Sequence, residues 1–383
     1  MEKIQETTGQ DGTKALLVTG YDAARQALSD QRVIKHLDLS SMGVSLDVLD
    51  AMVNQMMFAN PPDHTRLRRL ISASFTARRV ETMRPRIEHV AHELLDEVPA
   101  HETVELIQAY ALPLALQVIC DLLGVPAGMR DEFVTWTAII AAGPARRQEM
   151  PAQLARMLTV IRDLLAQRRA HPGDDLLSDL IEVRDGQDRL SENELTSMVF
   201  MLLIAGHETT KNLLGNGVFR LLEDRGRWDR VRAEPHLLAT AIEEFVRYDT
   251  PLAIDNSRIA AETFELAGRT VQASTRVEIS LAQANRDEDR FPAADQLRLD
   301  RAHNPHLGFG HGIHYCLGAP LARLVAKVAL TVLMTRFPAL DLAVPATELT
   351  LRQDFMRGLD QLPVRTRPRE AEHDETAPAP GLA

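Results

Sequence analysis

Between Leu307 and Ala322 the chain reads L-G-F-G-H-G-I-H-Y-C-L-G-A-P-L-A, with three glycines crowded ahead of Cys316. A backbone so rich in glycine turns tightly and can approach something flat or bulky. After the cysteine, Leu317, Leu321, Leu324, Val325 and Val328 recur at helical spacing with Pro320 in the first turn, so Cys316 sits at the mouth of a helix. Free N–H groups and the positive end of the helix dipole favour a thiolate there. Whatever the fold, it must hold one sulfur at a fixed turn-to-helix junction.

The other 300-odd residues point to helices. Leu, Ala, Arg and Glu dominate and aromatic residues make up only 4% of the 383. A hydrophobic content of 45% is enough for a sizeable core. The formal charge of −11 argues against nucleic acid as a partner. Cys120 lies in an apolar helical run, where it reads as a small buried hydrophobe, and Cys316 in the glycine loop; this is no disulfide framework and fits a reducing cytosol. Residues 1–13 are polar, without the apolar centre of a signal peptide, and the longest apolar run, Met198–Ala205, is too short for a bilayer. The expectation is a cytoplasmic protein without a membrane anchor.

Taken in order, residues 1–13 read as disordered, Ala15–Thr19 as a strand and Tyr21–Leu28 as a helix. From Val33 to Asn60 there is no clear period but there are four methionines, which either fill gaps in packing or line an apolar pocket. The run N-P-P-D-H-T-R-L-R-R-L at 60–70 starts a helix on which His64 and Arg68 share a face, either solvated or anion-binding. Helices are expected at 80–98, 106–123, 131–142 and 151–170, the last two forming a hairpin or a lid.

Ser191 and Glu194 form an S-x-x-E capping box that opens a helix expected to reach Leu222. It is apolar on every side from Met198 to Ala205, so it runs through the protein's middle. The run A-G-H-E-T-T at 205–210 is anomalous there. Gly206 costs roughly 1 kcal/mol in a helix interior, and burying Glu208 needs compensation. Either a structural network satisfies Glu208, or Glu208 and Thr209 bring a proton source and a hydroxyl relay to one point. A helix at 236–248 carries Glu244 and Arg247, three apart, close enough for an ion pair. Short strands follow at Phe264–Leu266 and Val277–Leu281 with a turn at Gly268 and Arg269. Residues 285–301 are irregular, strand-like segments return at Leu349–Arg352 and Leu362–Arg365, and 366–383 read as a disordered tail.

These motifs together resemble the bacterial cytochromes P450, the haem-thiolate monooxygenases. F-G-H-G-I-H-Y-C-L-G matches the family's cysteine loop without gaps, A-G-H-E-T-T its oxygen-activation motif, E-F-V-R at 244–247 its E-x-x-R, P-P-D-H-T-R-L-R-R its C-helix, and 285–301 its meander. The resemblance covers about residues 15–365. It implies a mainly α fold with small β-sheets, one large domain over 14–365 with a long central helix over the haem. It further implies haem b with Cys316 as axial ligand, His64, Arg68, Arg258 and His314 at the two propionates, and Glu208 with Thr209 as the acid–alcohol pair. Glu244 and Arg247 then support the cysteine loop.

The implied activity inserts one oxygen atom of O2 into a hydrophobic small molecule, by hydroxylation or epoxidation, in making a polyketide, macrolide or peptide-like product. Electrons would come from NAD(P)H through a ferredoxin reductase and a ferredoxin, docking on a patch of Arg66, Arg69, Arg78, Arg79, Arg323 and Lys327. By the same resemblance residues 40–58, 131–170, the central helix before Gly206, Leu252–Ile254 and the turn around Met356 wall the substrate pocket. There are two departures: the chain starts almost at its first strand, where the family carries a further helix, and Lys211 places a charge after the acid–alcohol motif, expected to face solvent or ordered water. Two other readings are a haem carrier without turnover, against which the intact Glu208 and Thr209 argue, and a zinc hydrolase built on His303, His306, His311, His314 and Cys316.

Overall fold

The capping box that begins the central helix is formed as expected. In a computed structural model of the chain, Glu194 N–H donates to Ser191 Oγ over 3.2 Å and Ser191 N–H to Glu194 Oε2 over 2.7 Å. The structure describes residues 3–8, 14–36, 45–72, 75–130, 132–133, 135–136, 148–185, 188–255, 257–352 and 355–366. In chain order the first half comprises β1 (Ile4–Thr8), β2 (Lys14–Val18), α1 (Tyr21–Ser29), β3 (Val33–Lys35), α2 (Leu46–Val53), α3 (Asp63–Ser72), α4 (Ala77–Thr82), α5 (Arg84–Asp96), β4 (Thr103–Glu105), α6 (Leu112–Leu123) and α7 (Met150–Ala170). The second half adds α8 (Leu176–Asp185), α9 (Glu192–Leu222), α10 (Arg225–Ala233), α11 (Leu237–Tyr248), β5 (Ile254–Asp255), β6 (Arg258–Ala260), β7 (Phe264–Leu266), β8 (Arg269–Val271), β9 (Arg276–Ser280), α12 (Leu281–Ala284), α13 (Ala319–Arg336), β10 (Asp341–Leu342) and β11 (Pro363–Arg365).

The 31-residue α9 is the axis of the molecule, buried without interruption from Leu195 to Leu203. It packs on α6, α7, α11 and α13 within one hydrophobic core. A helix interior normally disfavours glycine, but at Gly206 a Cβ would lie 2.9 Å from Ile119 Cδ1 of α6. The missing side chain is what lets α6 approach. A second, smaller core lies between α1 and a sheet ordered β1-β2-β9-β6-β3, in which β2 and β9 run parallel and the other pairs antiparallel. Its strands β3 and β6 pair Lys35 opposite Arg258.

Several expectations are corrected. Residues 4–8, read as disordered, form β1: the pairing Ile4↔Val18 through Thr8↔Lys14 satisfies the backbone, and Ile4 is buried although its neighbours are polar. Backbone pairing, not composition, orders this segment. The irregular 33–60 stretch holds β3 and α2, whose N-cap Ser45 accepts from Val48 N–H. Helices α8 and α10 were not expected; Asp175 caps the first by accepting from Ser178 N–H over 2.8 Å, and Asp224 caps the second by accepting from Gly226 N–H over 3.0 Å. Of the 131–142 helix only 132–133 and 135–136 are described, all helical, and the tail at 367–383 lies outside the described residues. Among the described residues no helix is long and apolar enough to cross a membrane.

Candidate active site

The glycines ahead of Cys316 make the turn expected of them. Gly310 and Gly312 adopt φ values of 74° and 70°, a left-handed region that suits glycine, and a Cβ on Gly312 would meet Leu28 O at 2.7 Å. The loop closes through Cys316 N–H donating to Phe309 O over 2.8 Å and is tied down by Leu307 N–H donating to Asn285 Oδ1 over 2.7 Å. Cys316 keeps accessible surface although protein surrounds it, and burial pushes its thiol above the usual value. The Gly318 and Ala319 N–H groups and the Arg68 and Arg323 charges pull the other way without overcoming this. The helix mouth thus offers the stabilisation read from the sequence, but desolvation outweighs it in the protein on its own.

The four expected anion-binding residues come together beside this loop. His64, on the first turn of α3, is 2% exposed and neither ring nitrogen has a hydrogen-bond partner among the described residues. Its ring centroid lies 4.2 Å from that of His314. Arg68, one turn along α3, acts electrostatically on both His64 and Cys316. Arg258 in β6 is buried, and its Nε donates to Asp255 Oδ2 over 2.8 Å. Burial, together with His64, Arg258 and Lys35, pushes His314 down to about 3.

Lys35 is the cation that the sequence reading missed. Its Nζ donates to Asp255 Oδ1 and to Ser257 Oγ, each over 2.8 Å, and its side chain is only 7% exposed. Burial lowers the pKa of Lys35, with Asp255 opposing; Asp255 itself is held far below the usual carboxylate range, burial being outweighed by Lys35 and Arg258. Asn60 clamps the backbone of Lys35, accepting from its N–H over 2.8 Å and donating to its C=O over 2.9 Å, and His64 N–H donates to Asn60 O over 3.0 Å. The strand of Lys35 and the helix of His64 are thereby fixed to one another.

In α9, the Thr209 hydroxyl donates to Ala205 O over 3.0 Å and the Thr210 hydroxyl to Gly206 O over 2.8 Å. Glu208 is 9% exposed and not alone. Its Oε1 accepts from Lys211 Nζ over 2.6 Å and from Arg352 over 3.3 Å. Lys211 therefore does not face solvent as expected; a lysine one helical turn from a buried carboxylate is drawn into pairing with it. Burial pushes Glu208 up, but Lys211 above all brings it below the usual value.

Glu244 and Arg247 form the expected ion pair, fully buried, and Arg301, unnoticed in the sequence, joins them. Leu252 and Met356 meet as an antiparallel bridge, bringing together two of the expected pocket segments, with Phe355 46% exposed beside them. Of the other expected wall, 40–44, 131, 134 and 137–147 lie outside the described residues. The proposed basic patch is largely engaged within the chain: Arg66 with Glu194 and Asp188, Arg69 with Asp188, Arg79 with Asp179, and Arg323 with Glu243. Arg78 and Lys327 are exposed. The zinc reading loses its ligands to separate partners, His303 meeting Arg290, His306 Glu243 and His311 Arg25. Among the described residues no three His, Cys, Asp or Glu side chains are grouped to hold a metal ion.

The cytochrome P450 family profile matches residues 145–354. Cytochrome P450 107B1 of Saccharopolyspora erythraea is 41% identical over 95% of this chain and 92% of its own length. The 6-deoxyerythronolide B hydroxylase of the same organism is 42% identical over 92% and 91%. Among solved structures, the Bacillus subtilis bacillaene polyketide synthase cytochrome P450 PksS superposes with a TM-score of 0.89 at 36% identity, covering 96% of this chain and 94% of that one. The chain belongs to the cytochrome P450 family, and is a monooxygenase whose cofactor is haem with a cysteine thiolate as axial ligand.

Proposed function

We propose that this monooxygenase oxidises a hydrophobic natural product of the polyketide or macrolide kind, with Cys316 as the axial ligand and His64, Arg68, Arg258 and His314 holding the haem propionates. One observation carries the reading: His64, buried at 2% exposure with both ring nitrogens unpartnered among the described residues, stands against His314 and one turn from Arg68. Buried polar atoms without partners are rare; an imidazole beside cations and a cysteine fits a ligand that brings carboxylates. Haem, when bound, supplies the oxygen-activating chemistry.

The chain's own residues do the rest. Arg68 and Arg258 offer charge-assisted hydrogen bonds to carboxylates. The Thr209 hydroxyl proton lies on the Ala205 carbonyl, so its oxygen is free to accept a hydrogen bond from water or from a proton-carrying group. Glu208 is the acid of the pair; held by Lys211 and Arg352, it is ionised at neutral pH and takes up a proton before passing it to the hydroxyl side. Leu252, Met356 and the exposed Phe355 contribute an aliphatic and aromatic wall suited to an apolar substrate. The named activity of the 6-deoxyerythronolide B hydroxylase supports a macrolide-like substrate. Electrons reach the protein from NAD(P)H through a ferredoxin reductase and a ferredoxin, and Arg78 and Lys327, with the exposed but paired Arg69, are cations of the docking face.

The reading is tested by the spectrum of the reduced protein with carbon monoxide, which should show the red-shifted Soret band of thiolate ligation and lose it in Cys316→Ala. A Cys316→Ala protein with the unchanged band ends it. For the proton relay, Thr209→Ala should divert electrons from product to hydrogen peroxide, and full coupling in that variant refutes the assignment.

A further inference from the structure

Lys35, Asp255 and Arg258 form a buried group whose charges do not cancel. Asp255 accepts from Lys35 over 2.8 Å at one oxygen and from Arg258 over 2.8 Å at the other. Side-chain exposures are 7% for Lys35, 11% for Asp255 and 2% for Arg258. The group faces His314, on which Arg258, Lys35 and Asp255 all act electrostatically. Buried charges persist when they are paired, so among the described residues this group has one cation more than it has anions.

We infer that Lys35 is the third cation of the haem-propionate site, neutralising Asp255 so that Arg258 keeps its charge for a propionate. The inference rests on the propionate reading above. Arg68, Arg258 and Lys35 carry three positive charges; Asp255 and two propionates carry three negative ones. Without Lys35, Asp255 claims Arg258 and leaves Arg68 as the sole uncommitted cation of the three for two carboxylates. The register fits this role, since Lys35 pairs directly opposite Arg258 and its backbone is clamped by Asn60, which also accepts from the His64 N–H. Lys35 thus acts through Asp255 and Arg258, as a positioning residue.

The test measures cofactor retention and redox poise. Lys35→Gln holoprotein should lose haem to excess apomyoglobin at least about tenfold faster than wild type, the scale set by leaving one member of a buried charge pair uncompensated. Its ferric/ferrous midpoint potential should fall, because losing a cation favours the more positive ferric state. Lys35→Gln/Asp255→Asn, with both charges removed, should recover both quantities, and Lys35→Arg should resemble wild type. A merely structural lysine would lower the unfolding midpoint and leave the potential unmoved; that result, or a double variant no better than Lys35→Gln, overturns the inference. Should Lys35→Gln purify without haem, Asp255→Asn alone serves: it must retain haem and shift the potential upward, and an unshifted potential counts against the inference. Arg258→Gln separates the two levels. If it too retains haem as wild type does, the propionate reading fails; if it loses haem while Lys35→Gln does not, only the role of Lys35 falls.

Discussion

Replacing Glu244 by Gln should be among the most damaging changes this chain can suffer outside its hydrophobic core. Glu244 is completely buried and accepts from five donors: Arg247 Nε and Nη2, each at 2.8 Å, Arg301 Nε shared between both oxygens at 3.2 and 3.0 Å, Arg298 N–H at 2.9 Å and Asn304 at 3.1 Å. Glutamine keeps the shape but removes the charge and turns one acceptor oxygen into a donor facing other donors. Arg247 and Arg301 keep their carbonyl partners at Asn285, Ala294, Pro292 and Ala293, yet two buried guanidinium charges then lack a counter-ion. Breaking a buried pair from one side costs about 3–5 kcal/mol, a large share of the roughly 5–15 kcal/mol that holds a folded protein together. Urea unfolding followed by fluorescence of the buried Trp136 and Trp228 should show that loss. Asp229→Asn, which breaks the exposed pair with Arg225, should cost under about 1 kcal/mol. If Glu244→Gln also costs under about 1 kcal/mol, the network is not what fixes the segment leading to Cys316.

Gly206→Ala places a Cβ 2.9 Å from Ile119 Cδ1; overpacking of about 1–3 kcal/mol should exceed the roughly 1 kcal/mol gained in helix propensity, and Gly206→Ala/Ile119→Val should lose less stability than the two single changes summed. Additive losses would refute the close-approach argument. Glu243 sits at about 2 against an ordinary 4.5, burial being outweighed by hydrogen bonds from Arg323 and His306. A depressed folded-state pKa gives stability that is present above the unfolded value and lost as pH falls. The stability gap between wild type and Glu243→Gln should therefore close as pH drops from 4.5 toward 2; a gap that persists unchanged at pH 2 contradicts the pairing.

The elements legible in the sequence are those whose signals are local. The capping box at Ser191 and the unbroken apolar run to Ala205 announce α9, and the glycines before Cys316 announce their turn. Helix α10 buries only Trp228 and Val231, so its arginine-rich sequence shows no apolar face to read. Strand β1 depends on a partner that composition does not reveal. The same holds for charge. Arg66, Arg69, Arg79 and Arg323 read as a basic surface because their carboxylates, at positions 188, 194, 179 and 243, lie far along the chain. Lys35 passed unnoticed because its meaning comes from Asp255, far along the chain, whereas Lys211 stood out as a charge but its pairing with Glu208, one turn back on the same helix, was not read.

The pairing of β3 with β6 also bears on the order of assembly. Lys35 and Ser257, hydrogen-bonded to each other, are 222 residues apart in the chain, and β2 joins β9 over a comparable span. Contacts of such long range close late, since the intervening chain must first surrender its freedom. During synthesis, helices α3 to α9 leave the ribosome before the strand bearing Arg258 exists. The helical body can therefore gather around α9 while the sheet that completes the cation cluster is still unmade, and with the propionate site proposed above, cofactor capture would be a closing event of folding and not its nucleus.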